Sequence, residues 1–115
     1  MPHFVIDCSD GILQNVSAEE IIDNVHASAE GAGLFRKGDV KVRIVSFNKF
    51  TSGGTQKDFL HITADIMGGR TTEQKASLSK GIIRNLAPLL PGVEFVSIDI
   101  RDINPDTYTN LAKIG

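Results

Sequence analysis

Alternation and helical spacing divide the chain into two similar halves. From His3 to Cys8, Phe4, Ile6 and Cys8 share one side while His3, Val5 and Asp7 share the other, the period of a strand. Ser9-Asp10-Gly11 ends that run with turn residues. Ala18, Ile21, Ile22, Val25 and Ala29 then recur at helical spacing. Ser17 precedes them and Glu20 follows it by three, the spacing at which a hydroxyl and a carboxylate cap each other's backbone amides. Glu19, Glu20 and Asp23 suit the positive start of this helix, and Gly31 and Gly33 suit its end. His26 lies at the edge of the stripe and reads as surface. Val40 to Phe47 alternates again, with Val40, Val42 and Ile44 against Lys41, Arg43, Val45 and Phe47.

The second half repeats the order. A polar, glycine-containing loop runs from Phe50 to Asp58. Phe59 to Met67 reads as a third strand, with Leu60, Ile62, Ala64 and Ile66 inward and His61, Thr63 and Asp65 outward. Gly68-Gly69 closes it. Thr71, with Gln74 three residues later, opens a second helix whose stripe is Ala76, Leu78, Ile82, Ile83, Leu86 and Leu89. Pro88 and Pro91-Gly92 stop that helix. Val93 to Arg101 predicts the fourth strand. Asn104-Pro105 predicts a cap and first position for a short helix over Asp106 to Lys113, or an arm carrying Tyr108 and Leu111 to a neighbour.

Two strand–helix–strand units predict one α+β domain over residues 1–115. Parallel strands within each unit, joined by right-handed crossovers, give a four-stranded mixed sheet with both helices on one face. The other face carries Val5, Val45, Phe47 and Phe59 among charges. It needs cover, so the chain is expected to form an oligomer.

Composition narrows the function. A chain of 115 residues suits a single core. A net charge of −2 gives no general attraction to nucleic acid or membrane phosphates. The single cysteine, Cys8, excludes an intramolecular disulfide, suits a reducing compartment and reads as buried packing. No apolar run approaches a membrane span and no secretory leader is visible, so a cytoplasmic protein is expected. No second His or Cys stands at metal-ligand spacing from His61, so no metal site is expected.

Two stretches carry candidate chemistry. Initiator methionine is usually removed before a small residue, and Pro2 qualifies; the mature chain would then start with a secondary amine. Burial or nearby cations lower the pKa of such an amine, and an amine poised near neutrality is a general base. Arg70 stands just before a helix start, where free backbone amides already favour anions, and its guanidinium adds bidentate capacity for a carboxylate. Lys41 and Arg43 project from the same side of the second strand.

Met-Pro-His-Phe-Val-Ile-Asp-Cys-Ser-Asp at the start, Gly33-Leu34-Phe35 after the first helix and Gly69-Arg70-Thr71 opening the second resemble the tautomerase superfamily. Within it, the chain is most similar to the 5-carboxymethyl-2-hydroxymuconate delta-isomerase family. The resemblance covers essentially the whole chain and is most specific in the first ten residues. It implies the double strand–helix–strand fold, a homotrimer with its active sites near subunit interfaces, and a cofactor-free reaction. It also implies a place in bacterial homoprotocatechuate breakdown. Carried over by position, Pro2 is the base that moves a proton from the 2-hydroxyl of a dienol dicarboxylate to carbon five. Arg70 engages a substrate carboxylate or carbonyl oxygen. Lys41 falls where the family has a second arginine, and Arg43 matches a further arginine two residues on. Lysine keeps the charge but loses the planar fork, which bears on rate or substrate preference. Ketonisation of another enol (phenylpyruvate, 2-hydroxymuconate), action on a halogenated acrylate, and a binding module without turnover are the alternatives.

Overall fold

The computed structural model describes residues 1–115. Four strands, β1 (His3–Ser9), β2 (Lys41–Phe47), β3 (Phe59–Met67) and β4 (Phe95–Ile103), form one sheet in the order β2-β1-β3-β4. β1 runs parallel to β2 and β3 parallel to β4, while the central pair β1 and β3 is antiparallel. Helices α1 (Ala18–Gly31) and α2 (Thr72–Leu86) are the two crossovers.

Both helices start as their sequences dictate. Ser17 and Glu20 form a full capping box, and so do Thr71 and Gln74, each pair satisfying amides that a helix start leaves free. Ile21, Val25 and Ala29 of α1 and Leu78, Ile82 and Leu86 of α2 are buried on one sheet face. There they meet Phe4, Ile6 and Cys8 of β1 and Leu60, Ile62, Ala64 and Ile66 of β3, which gives one continuous core. Ala76 departs from the predicted stripe and is exposed. Asn24 Nδ2 donates to the Asn85 carbonyl at 3.1 Å and Asn85 Nδ2 to Ser28 Oγ at 3.0 Å, so polar groups join the helices on their outer side.

The opposite sheet face is open in the single chain. Val45, Phe47 and Phe95 are 46%, 39% and 42% exposed there. Val45 and Phe47 are two of the four positions expected to need a partner, Val5 and Phe59 are half-buried, and Phe95 adds to the exposed area.

Two predicted segments differ. The chain after Ser9 forms a 3-10 turn, Asp10–Gln14, that buries Ile12. Ser9 is itself fully buried; its Oγ donates to Asp58 Oδ1 at 2.6 Å and accepts from the Phe59 amide at 3.1 Å. A Cβ on Gly11 would stand 2.5 Å from that same Asp58 oxygen. Asp58 is held by Ser9 and has little freedom to yield. Gly11→Ala is therefore expected to destabilise the fold by about 1–3 kcal/mol, the usual effect of overpacking, measured by urea denaturation.

At the other end, residues 106–113 form no continuous helix, the first of the two forms expected there. The Asn104 carbonyl accepts from the amides of Thr107 and Tyr108, which makes a single turn. Only α3 (Leu111–Ile114) follows, capped by Asn110. Thr107, Thr109 and Asn110 are poor helix formers, and most of the segment is exposed, so little packing offsets that. Leu111 is 81% exposed and Ile114 74%. The radius of gyration, 15.0 Å, exceeds the roughly 13 Å of a compact domain this size.

Candidate active site

The sheet gathers both candidate stretches at one end. Parallel pairing sets His3 beside Lys41, and the Lys41 amide donates to the Pro2 carbonyl at 3.0 Å. Pro2 is thereby held at the start of β1, and it is buried. The Lys41 ammonium donates to the Asp39 carbonyl at 2.9 Å and to Met1 Sδ at 3.2 Å. It therefore stands beside the residue that precedes Pro2. With Met1 in place the Pro2 nitrogen is an amide.

Because β3 is antiparallel to β1, its last residues reach the same end: His3 pairs with Asp65, two residues before Met67. Gly68 donates its amide to the Ile103 carbonyl, and Gly69 turns the chain at φ +115°, a conformation that favours glycine. Arg70 then folds back across the turn. Its Nη1 donates to the Met67 carbonyl at 3.1 Å and its Nη2 to the Leu34 carbonyl at 2.5 Å. The guanidinium also lies over the Phe35 ring, 5.2 Å from its centroid. Phe35 in turn meets Phe4 of the core edge-on at 6.1 Å. Arg70 is thus oriented before any ligand arrives, and its remaining N–H groups stay available to an anion.

Arg43 is placed differently from Lys41. It sits one step further along β2, on the open sheet face, and Nη1 lies 3.1 Å from His3 Nδ1. It meets the Pro2 end through His3. Four paired positions form a row across the open face: Lys41, His3, Asp65 and Arg101. Arg101 Nε pairs with Asp65 Oδ1 at 3.3 Å. Burial and the positive charges of Arg43, Lys41 and the chain's N-terminal amine hold the His3 pKa below 6.5, with Asp65 opposing them.

Several other expectations resolve on the same geometry. Phe35 stands at this end, but Phe47 and Phe50 do not. Both pack on Phe59, at 6.5 and 5.3 Å between centroids, at the far end of β2 and the start of β3. A strand of that length puts them about 20 Å from Lys41, so within one chain they form no wall to this site. Cys8 is buried, and burial and neighbouring Asp7, Asp58 and Asp10 push its thiol up to about 11, which keeps it unreactive. His26 pairs with Glu30 on the surface of α1 at 3.4 Å, and His61 Nδ1 meets Ser97 Oγ at 2.7 Å. A groove of about 830 Å³ between α1 and α2 is lined by Asn24, Ser28, Glu73, Gln74 and Asn85 among others. It offers no cation to a carboxylate ligand. No helix is long and apolar enough to cross a membrane.

Sequence reasoning missed His3 as the partner of Arg43, and Leu34 and Met67 as the anchors of Arg70. The shared outward parity of His3 and Arg43 was visible in the chain. Their contact depends on register, which alternation alone does not set.

Comparison with known proteins bears on the fold and the family. A curated relative from Escherichia coli, 5-carboxymethyl-2-hydroxymuconate Delta-isomerase, is 26% identical over 77 residues, which cover 65% of this chain and 61% of the relative's length. Solved structures share the fold at lower identity. A member of the cis-3-chloroacrylic acid dehalogenase family superposes with a TM-score of 0.79 at 19% identity, covering 95% of this chain and 80% of that one. A fused 4-OT protein described as an asymmetric trimer gives 0.80 at 18% identity, covering 95% and 92%. The profile of the family described as 5-carboxymethyl-2-hydroxymuconate isomerase matches residues 2–110, and the chain belongs to that family.

Proposed function

We propose that this chain is a cofactor-independent isomerase that ketonises 5-carboxymethyl-2-hydroxymuconate or a closely related enol dicarboxylate, with the amine of Pro2 as its base once Met1 is removed. The observation that carries this reading is the pairing of Lys41 with the buried start of β1, where the Lys41 amide donates to the Pro2 carbonyl at 3.0 Å. A cation beside an amine disfavours its protonated form and lowers its pKa toward the working range of a general base.

The residues divide the work as follows. Pro2 takes the proton of the 2-hydroxyl, and the electron pair of that O–H bond becomes the carbonyl π bond. The conjugated system shifts, and carbon five takes a proton from the prolinium, which regenerates the amine. Negative charge spreads over the dienol oxygen and carboxylate during transfer. Lys41 approaches this end from the open sheet face and Arg70 from the side where Phe35 meets the core, so the two can hold oxygens at opposite ends of a flat polyanion. Such positioned charge acts most strongly where water is excluded, and the exposed apolar positions Val45, Phe47 and Phe95 supply a surface for subunit association. A homotrimer would cover that surface and bring aromatic residues of a neighbour toward each site; the fused 4-OT structure is described as a trimer.

The test is a panel of enols given to protein confirmed by intact mass to begin at Pro2. The proposal expects kcat/KM for 5-carboxymethyl-2-hydroxymuconate to exceed that for 2-hydroxymuconate and phenylpyruvate. Preference for phenylpyruvate, which has a single carboxylate, would move the assignment to another enol. Lys41→Arg is expected to match or raise kcat/KM, because a planar fork binds a carboxylate better than a point charge. A collapse in that variant would shift the second anion contact to Arg43.

A further inference from the structure

His3 is the residue next to the proposed base, and the reaction scheme leaves it unused. Its Nδ1 lies 3.1 Å from Arg43 Nη1. A guanidinium has donors only, so Nδ1 must be the acceptor and the neutral ring carries its proton on Nε2. The charged groups facing the ring come from every neighbouring strand. They are Lys41 and Arg43 on β2, Asp65 on β3 with Arg101 of β4 behind it, and the chain's terminal amine. The helices lie behind the other sheet face.

We propose that His3 is a positioning residue of the Pro2 site. As the neutral Nε2–H tautomer it fixes the Arg43 guanidinium toward the start of β1, and protonation at Nδ1 releases that guanidinium. The proposal rests on Pro2 being the base. Protonating His3 would remove the only acceptor the ring offers Arg43 and set two like charges in contact. It would also add a charge one residue from the Pro2 amine. The low-pH loss of kcat/KM then contains an ionisation that belongs to His3, separate from that of the amine. Stability follows the same sign. The folded-state pKa lies below 6.5, so the stabilisation from neutral His3 is present above pH 6.5 and is lost as pH falls through the lowered value.

The chain has three histidines, so nitrogen-15 spectra of labelled protein can isolate His3 by its disappearance in His3→Asn. The expected result is an unprotonated Nδ1, with a titration midpoint that rises in Arg43→Ala. A proton on Nδ1, or a midpoint that does not move when Arg43 is removed, would overturn the proposal. Kinetics supply a second arm. Asn can place its side-chain oxygen where Nδ1 stands but cannot titrate, while Leu offers no acceptor. His3→Leu is expected to lower kcat/KM by about tenfold or more, as losing a hydrogen bond to a charged group does. His3→Asn should recover much of that loss and abolish one ionisation from the acid limb. Equal losses in Asn and Leu, or an unchanged acid limb in Asn, would show that His3 only packs. The spectra need no turnover, so a wild-type chain that is inactive yet shows the Nε2–H tautomer would refute the Pro2 reading and leave the His3–Arg43 pairing standing.

Discussion

A chain in which any residue stays in front of Pro2 is expected to lose turnover by roughly 10²- to 10⁴-fold, the contribution of a positioned acid–base group. The reason is bond type. An amide nitrogen shares its lone pair with the carbonyl and has no useful basicity, whereas the secondary amine of a free N-terminal proline does. The fold should not notice the difference. Pro2 is held from behind, through its carbonyl and the Lys41 amide, and the core begins at Phe4. An extended chain should therefore match the native one in its thermal transition while failing in kinetics. If the extended and native chains turn over equally, Pro2 has no part in the chemistry.

Arg70→Ala is expected to lower kcat/KM by about 10²–10³-fold, as removal of one charge-stabilising donor commonly does. It should also cost stability, on the order of 2 kcal/mol, because hydrogen bonds from a charged donor are worth about 1.5–3 kcal/mol before relaxation. Both losses come from one side chain with two duties. Two N–H groups tie the loop at Leu34 to the end of β3, and the others are left for an anion. Arg70→Lys separates the duties. Lysine keeps the charge and can still lie over Phe35, but it cannot span both carbonyls. Denaturation and kinetics on the two variants check the split. A variant that loses stability with no change in kcat/KM would confine Arg70 to structure.

Strand parity was legible in the chain because each buried side is apolar at every second residue. Phe4, Ile6 and Cys8 on β1 and Leu60 to Ile66 on β3 show it most clearly. The two capping boxes were legible because Ser17 with Glu20 and Thr71 with Gln74 use purely local spacing. Strand ends were less so. β4 was expected over Val93 to Arg101 and runs from Phe95 to Ile103, with Ile103 paired to Met67 across the sheet. Its limits are set by a partner strand and not by its own sequence. At the C-terminus the sequence left a helix and an arm both open, because Asn104-Pro105 looks the same before one turn as before three.

For the site, Pro2, Lys41 and Arg70 were visible as residue types, and the structure sets them at one end of the sheet. Their convergence was not visible, because it depends on the parallel register of β1 with β2 and the antiparallel register of β1 with β3. Backbone carbonyls carry no sequence signal, so the anchoring of Arg70 to Leu34 and Met67 was invisible.

The most direct test of the account is the ultraviolet-monitored ketonisation of 5-carboxymethyl-2-hydroxymuconate by protein whose intact mass shows it begins at Pro2. The account predicts rapid, saturable conversion with an acid limb in its pH profile. Conversion no faster than the uncatalysed background would contradict it, leaving the family's fold without this reaction.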